Sequence, residues 1–140
     1  MELIAAAQLD EENFRSCGDC SMCCKLLPIE LYEGQDVKPA GEWCSKWSKR
    51  TKCGIYDERP GACREFHCLW RISTYLPNEM RPDKSKVVMA MYSEGVLIVY
   101  VDPKDPDAWQ RGEVGLFLRQ WPERFVVQCG EKRVWKQLNT

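Results

Sequence analysis

Eight of the nine cysteines in this chain fall between Cys17 and Cys68, opening with the run Cys17-Gly18-Asp19-Cys20-Ser21-Met22-Cys23-Cys24. A gap of two residues lets successive sulfurs of one short loop converge on one centre, the spacing that zinc and iron-sulfur sites share. The remaining sulfurs of the array follow at Cys44, Cys53, Cys63 and Cys68. Eight thiolates suffice for two tetrahedral four-sulfur sites, or for one cluster and one zinc, and tetrahedral sulfur coordination is compatible with either metal. Adjacent residues of an extended segment point to opposite sides, so Cys23 and Cys24 are expected not to serve identical roles at one mononuclear site. Cys-x2-Cys-x2-Cys repeats the first three positions of the bacterial ferredoxin run, which favours iron. The fourth sulfur then follows at once, without the usual further gap and Cys-Pro, which keeps zinc open.

Other side chains within the array have narrower parts to play. Pro60 fixes a turn between Cys53 and Cys63, and Arg59 and Arg64 can donate hydrogen bonds to carbonyls or to electron-rich sulfurs. Arg59 could instead pair with Asp57 or Glu65 on the surface. His67, the only histidine, sits beside Cys68 and could replace a sulfur in a three-Cys, one-His site, although a side chain turned away from the centre is the preferred reading. Trp43, Trp47 and Trp70 flank the cysteines, either screening a cluster from water or supplying the little core this stretch has. Lys46, Lys49, Arg50 and Lys52 read as a solvated loop. Cys129 stands apart and reads as an inert, buried thiol.

The pattern Cys-x2-Cys-x2-Cys-Cys, then Trp43-Cys44, then Cys53-Gly54-Ile55-Tyr56-Asp57-Glu58-Arg59-Pro60-Gly61-Ala62-Cys63-Arg64 and on to Cys68 resembles a known family. It is the small cysteine-rich, zinc- or iron-chelating family named for its CxxCxxCC motif, whose members are also described as iron-sulfur-cluster-containing. The resemblance covers about half the chain, from Cys17 to Trp70. It implies metal chelation by Cys17, Cys20, Cys23, Cys24, Cys44, Cys53, Cys63 and Cys68. A looser similarity runs to the module that accompanies flagellin lysine-N-methylases. Three functional readings follow: a metal-binding protein with an accessory, structural or redox role; an enzyme, with cluster-dependent redox or protein-modification activity; and a thiol-disulfide protein using Cys20 and Cys23.

The bulk of the chain narrows these readings. Twenty Lys and Arg against 21 Asp and Glu leave a formal charge of -1, without the basic footprint of a dedicated nucleic-acid binder. The expected partners are a metal ion or cluster and, as a candidate, another protein; neither nucleic acid nor membrane is expected. The start, Met1 to Ala7, carries an acid where a secretory signal needs bases, and the longest apolar run, Val96 to Val101, is far too short to cross a bilayer. A cytoplasmic location is therefore expected, where a reducing environment favours metal over disulfides.

The elements that must hold these cysteines divide at about residue 70. Residues 17–68 contain seven Val, Ile, Leu or Phe, whereas residues 69–140 contain nineteen. So poor an aliphatic content predicts a front region, 17–70, cross-linked by metal in place of an oily core. A short amphipathic helix is expected over Glu2 to Phe14, and another from Ala62 to Trp70. Region 71–140 reads as hairpin, helix, hairpin. The first hairpin pairs Val87–Tyr92 with Val96–Val101. The helix starts at Asp105-Pro106 and turns Trp109, Leu116, Phe117 and Trp121 to one face. The second hairpin pairs Phe125–Cys129 with Lys132–Trp135 around Gly130-Glu131. The whole chain, 1–140, is expected to be a single α+β domain.

Overall fold

Val87–Met91 (β5) and Leu97–Val101 (β6) are continuous apolar runs, the pattern of strands covered on both faces. The computed structural model describes residues 20–30, 37–45, 47–50, 52–53, 66, 68–73, 75–91 and 95–138. The helix expected over Glu2 to Phe14, and most of the one expected from Ala62 to Trp70, lie outside them. The fold is α+β. β5 and β6 pair antiparallel from Val87↔Val101 to Met91↔Leu97, and Phe125–Cys129 (β7) pairs antiparallel with Lys132–Lys136 (β8) around a two-residue turn, so both expected hairpins form. The two hairpins also join. β6 pairs parallel with β7, from Leu97↔Phe125 to Val101↔Cys129, giving one four-stranded sheet in the order β5-β6-β7-β8.

Strand alternation sends odd and even residues of this sheet into different cores. Val87, Met89, Leu97, Val99, Val101, Phe125 and Val127 share one apolar cluster with Trp109, Val114, Phe117, Leu118 and Trp121 of the β6–β7 connection. Leu69 and Trp70 of a short helix (α2, Leu69–Ile72) join the same cluster, as does Met80, which precedes the helical turn Pro82–Ser85 (α3). Val88, Ala90, Ile98, Tyr100 and Val126 face the other way and pack with Met22, Leu26, Leu27 and Ile29.

That second cluster corrects the expectation of a front region without an apolar core. The described part of residues 17–70 is docked on the sheet, and Leu26 is only 2% exposed there. Counting aliphatic residues failed because the segment borrows half of its core from strands some sixty residues and more away, which a local tally cannot register. For the same reason residue 70 is not a packing boundary: residues before it contribute to both clusters.

The β6–β7 connection also departs from its reading. Asp105 does not cap the helix; its carboxylate takes the Arg111 guanidinium, and Ala108–Gln110 forms a separate 3-10 turn. The α-helix, α4, spans Gly112–Arg119. Gly112 has φ of 57°, a left-handed backbone that breaks the run between the two elements. A Cβ at Gly115 would lie 2.5 Å from the Gln110 carbonyl oxygen, so the tight junction requires glycine there as well. With the start displaced, the buried face is Val114, Phe117, Leu118 and Trp121, at i, i+3, i+4 and i+7, while Leu116 turns outward at 48% exposure. No described helix is long and apolar enough to cross a membrane.

Candidate metal centre

Cys20 to Leu27 is laid down as little more than one helical turn. Cys24 N–H donates to the Ser21 carbonyl at 2.9 Å, Leu26 N–H to Met22 at 2.9 Å, and the helix proper (α1) is Cys23–Leu26. Met22 and Leu26, four apart, turn to the sheet and fix the rotation of the helix. Cys20 and Cys23 are then held at the edge of the same apolar cluster, half-buried. The expectation that Cys23 and Cys24 diverge as in an extended segment is overturned, because successive residues of an α-helix differ by about 100°, not 180°. Cys23-Cys24 therefore gives no argument for two separate sites.

The second cysteine segment is tied to the first through main chain. Cys44 N–H donates to the Cys24 carbonyl at 3.0 Å, and Gly41 N–H to the Lys25 carbonyl at 2.8 Å. Gly41 has φ of 87°, and a Cβ there would sit 2.7 Å from Pro103, so this turn closes onto the sheet end only with glycine. The turn follows a minimal antiparallel pair, Ile29–Glu30 (β1) with Val37–Lys38 (β2). Cys44 is buried.

A third link brings in Cys53. Trp47–Ser48 (β3) pairs antiparallel with Lys52–Cys53 (β4), setting the Cys53 backbone opposite Trp47. Trp47 N–H donates to the Cys44 carbonyl at 3.0 Å, and its indole N–H to Ser21 Oγ at 2.7 Å. The chain at Cys53 thus runs beside a residue bonded both to Cys44 and to the Cys20–Cys24 turn. Trp43 stacks on Trp47, ring centroids 3.8 Å apart and planes 15° from parallel. Trp70 does not belong to this aromatic wall. It lies in the core on the other sheet face, with its indole N–H on the Pro77 carbonyl. Cys68, at the start of α2, packs against both cores and so borders the cluster that Cys20 and Cys23 border.

Two buried lysines, for which the sequence held no clear signal, organise this end of the molecule. Lys38 Nζ donates to the Lys25 carbonyl at 2.9 Å and to the Glu42 carbonyl at 2.6 Å, spanning the α1 turn and the turn before Cys44. Among the described residues no carboxylate is bonded to it. Burial lowers its pKa to about 8, opposed by the negative charge of Cys44, Cys24, Glu42 and Cys23 close by. Lys25, between Cys24 and Leu26, carries its ammonium to both oxygens of the Asp102 carboxylate, at 2.9 and 3.0 Å, in a buried ion pair with the residue after β6. The only hint in the sequence is a lysine set among apolar neighbours; Asp102 reads there as one more turn residue.

Cys20, Cys23, Cys24, Cys44 and Cys68, with the Cys53 backbone, are therefore gathered on the second face and one end of the sheet. Cys17, Cys63, Arg59, Arg64 and His67 lie outside the described residues. Among the described residues no group of three or more Cys, His, Asp or Glu side chains converges to metal-holding geometry, and no disulfide forms. Cysteine sulfurs are donors that zinc and iron-sulfur sites both use. Cys129, expected to be buried, is half-buried, and its pKa is raised by burial and by Asp102. It is less remote than its number suggests, because Gly41 packs against Gly130 beside it. Lys49 and Arg50 are exposed. Comparison of the chain with protein-family models, with curated proteins and with solved structures gave no match.

Proposed function

We propose that the protein binds metal through its cysteine array, holding an iron-sulfur cluster, or zinc in its place, in an accessory, structural or redox role. The observation that carries this reading is Lys38. Among the described residues its ammonium bonds to the Lys25 and Glu42 carbonyls and so spans α1 and the turn before Cys44, where the thiolates of a bound metal would balance its charge. Cys20, Cys23, Cys24, Cys44 and Cys68 are the described ligands of this proposal, and Cys17, Cys53 and Cys63 complete the eight that the CxxCxxCC resemblance implies. A cluster would supply electron transfer or a rigid cross-link; zinc would supply the cross-link alone.

Anaerobic purification followed by elemental analysis and a visible spectrum tests the proposal. A broad brown absorption with stoichiometric iron is expected, and a colourless sample with stoichiometric zinc assigns the second metal. Well-ordered, fully reduced protein carrying neither metal refutes both. Cys44→Ser and Cys53→Ser should each lower the metal content well below that of the parent protein.

A further inference from the structure

Among the described residues β8 is an outer strand of the sheet and carries two exposed large apolar side chains. All five of its residues, Lys132 to Lys136, are exposed, with Val134 at 47% and Trp135 at 51%. Its inner edge is paired with β7 around a two-residue turn. In such a hairpin the ladder alternates, so Lys132, Val134 and Lys136 bond inward while the main-chain N–H and C=O of the intervening residues, Trp135 among them, turn to the open edge. Lys132, Val134 and Lys136 share the sheet face of Val127; Trp135 shares the face of its partner Val126, with the Arg124 guanidinium 4.7 Å from the centre of its ring.

We infer that β8 is a docking edge for an extended acidic segment of another protein, which adds a fifth strand to the sheet. Charge selects this occupant. A second copy of the chain is the poorer occupant, because antiparallel pairing of β8 with itself centred on Val134 sets Lys132 opposite Lys136, and centring it on Trp135 sets Arg133 and Lys136 opposite Gln137 and Val134, which carry no counter-charge. In-register parallel pairing repeats the clash at each cation, and like charges directly opposite destabilise a strand pair. The charge of β8 thus weighs against self-association, and Lys132 and Lys136 favour a strand that places carboxylates opposite them. Edge protection by charge accounts for the lysines. It does not account for Val134 and Trp135 standing half-exposed between them, where a partner's side chains would pack. The whole chain's charge of -1 and the regular alternation of the strand favour a peptide over nucleic acid.

The test uses the full-length, anaerobically purified protein and the end-capped peptide Thr-Glu-Thr-Val-Glu-Glu-Thr. Controls are the same peptide with Lys for Glu, the same peptide with Pro for Val, and an oligothymidylate. Calorimetry should show saturable binding of the acidic peptide alone, with slowed amide exchange at Trp135. The double variant Lys132→Glu/Lys136→Glu should weaken that binding by about tenfold or more and gain binding to the lysine peptide. Circular dichroism of the variant, unchanged because both residues are exposed, separates this loss from misfolding. Absence of binding at millimolar peptide, equal binding of the proline version, or oligothymidylate binding lost in the same variant would each overturn the inference. Metal content is not read in this test, so its result stands apart from that of the metal proposal.

Discussion

An ammonium taken out of water is costly unless anions or carbonyl oxygens replace the solvent it loses. Lys38 meets that requirement with two carbonyls, that of Lys25 in α1 and that of Glu42 in the turn before Cys44. It therefore pins the two cysteine segments together. Lys38→Met should leave the sheet intact by far-ultraviolet circular dichroism while weakening metal retention against a competing chelator by about tenfold to a hundredfold, as loss of an outer support of a metal site does. Unchanged retention would remove Lys38 from the site. Lys25 and Asp102 act differently, since each is the other's counter-ion. Asp102→Asn strands a buried ammonium and should cost about 3–5 kcal/mol in urea unfolding. Replacing both partners by apolar residues, Lys25→Met with Asp102→Leu, should recover most of that loss.

At the scale of elements, α1 carries two duties through one rotation. Its position against the strands is fixed by Met22 and Leu26, and that same rotation fixes where Cys23 and Cys24 stand. Leu26→Ala opens a cavity on the second face of the sheet and should cost about 2–5 kcal/mol, measured by denaturant unfolding of metal-loaded protein. A negligible cost would mean that metal alone holds the helix in place. The hairpins were legible in the sequence because the runs that form each pair of strands flank a short turn containing glycine, a local signal. α4 was legible as a helix but not in its bounds. Gly112 and Gly115 displace its start through a left-handed backbone and a close approach to Gln110, and neither follows from hydrophobic spacing.

The described residues centre on the four-stranded sheet, with a different cover on each face: the β6–β7 connection with α2 on one, the cysteine-rich segment on the other. Metal and sheet should therefore contribute separately to its stability. Chelation under reducing conditions is expected to raise amide hydrogen exchange over residues 37–53 most, with the central strands β6 and β7 keeping their protection. Uniform exchange loss across both regions would show that the sheet cannot stand without the metal, and no change anywhere would show that the metal has no structural part.

What the sequence by itself made legible was the cysteine spacing and the local form. Cysteine spacing points to sulfur coordination, and two apolar runs beside turn residues specify two hairpins, because both signals reside within a few neighbouring positions. What only the tertiary structure decided was partnership across long separations. These are the parallel pairing of β6 with β7, the docking of Met22 and Leu26 on Val88 and Ile98, and the burial of Lys25 against Asp102 some 77 residues away. Such contacts depend on which surfaces are complementary once the elements exist, a property of the assembled chain that no window of the sequence contains.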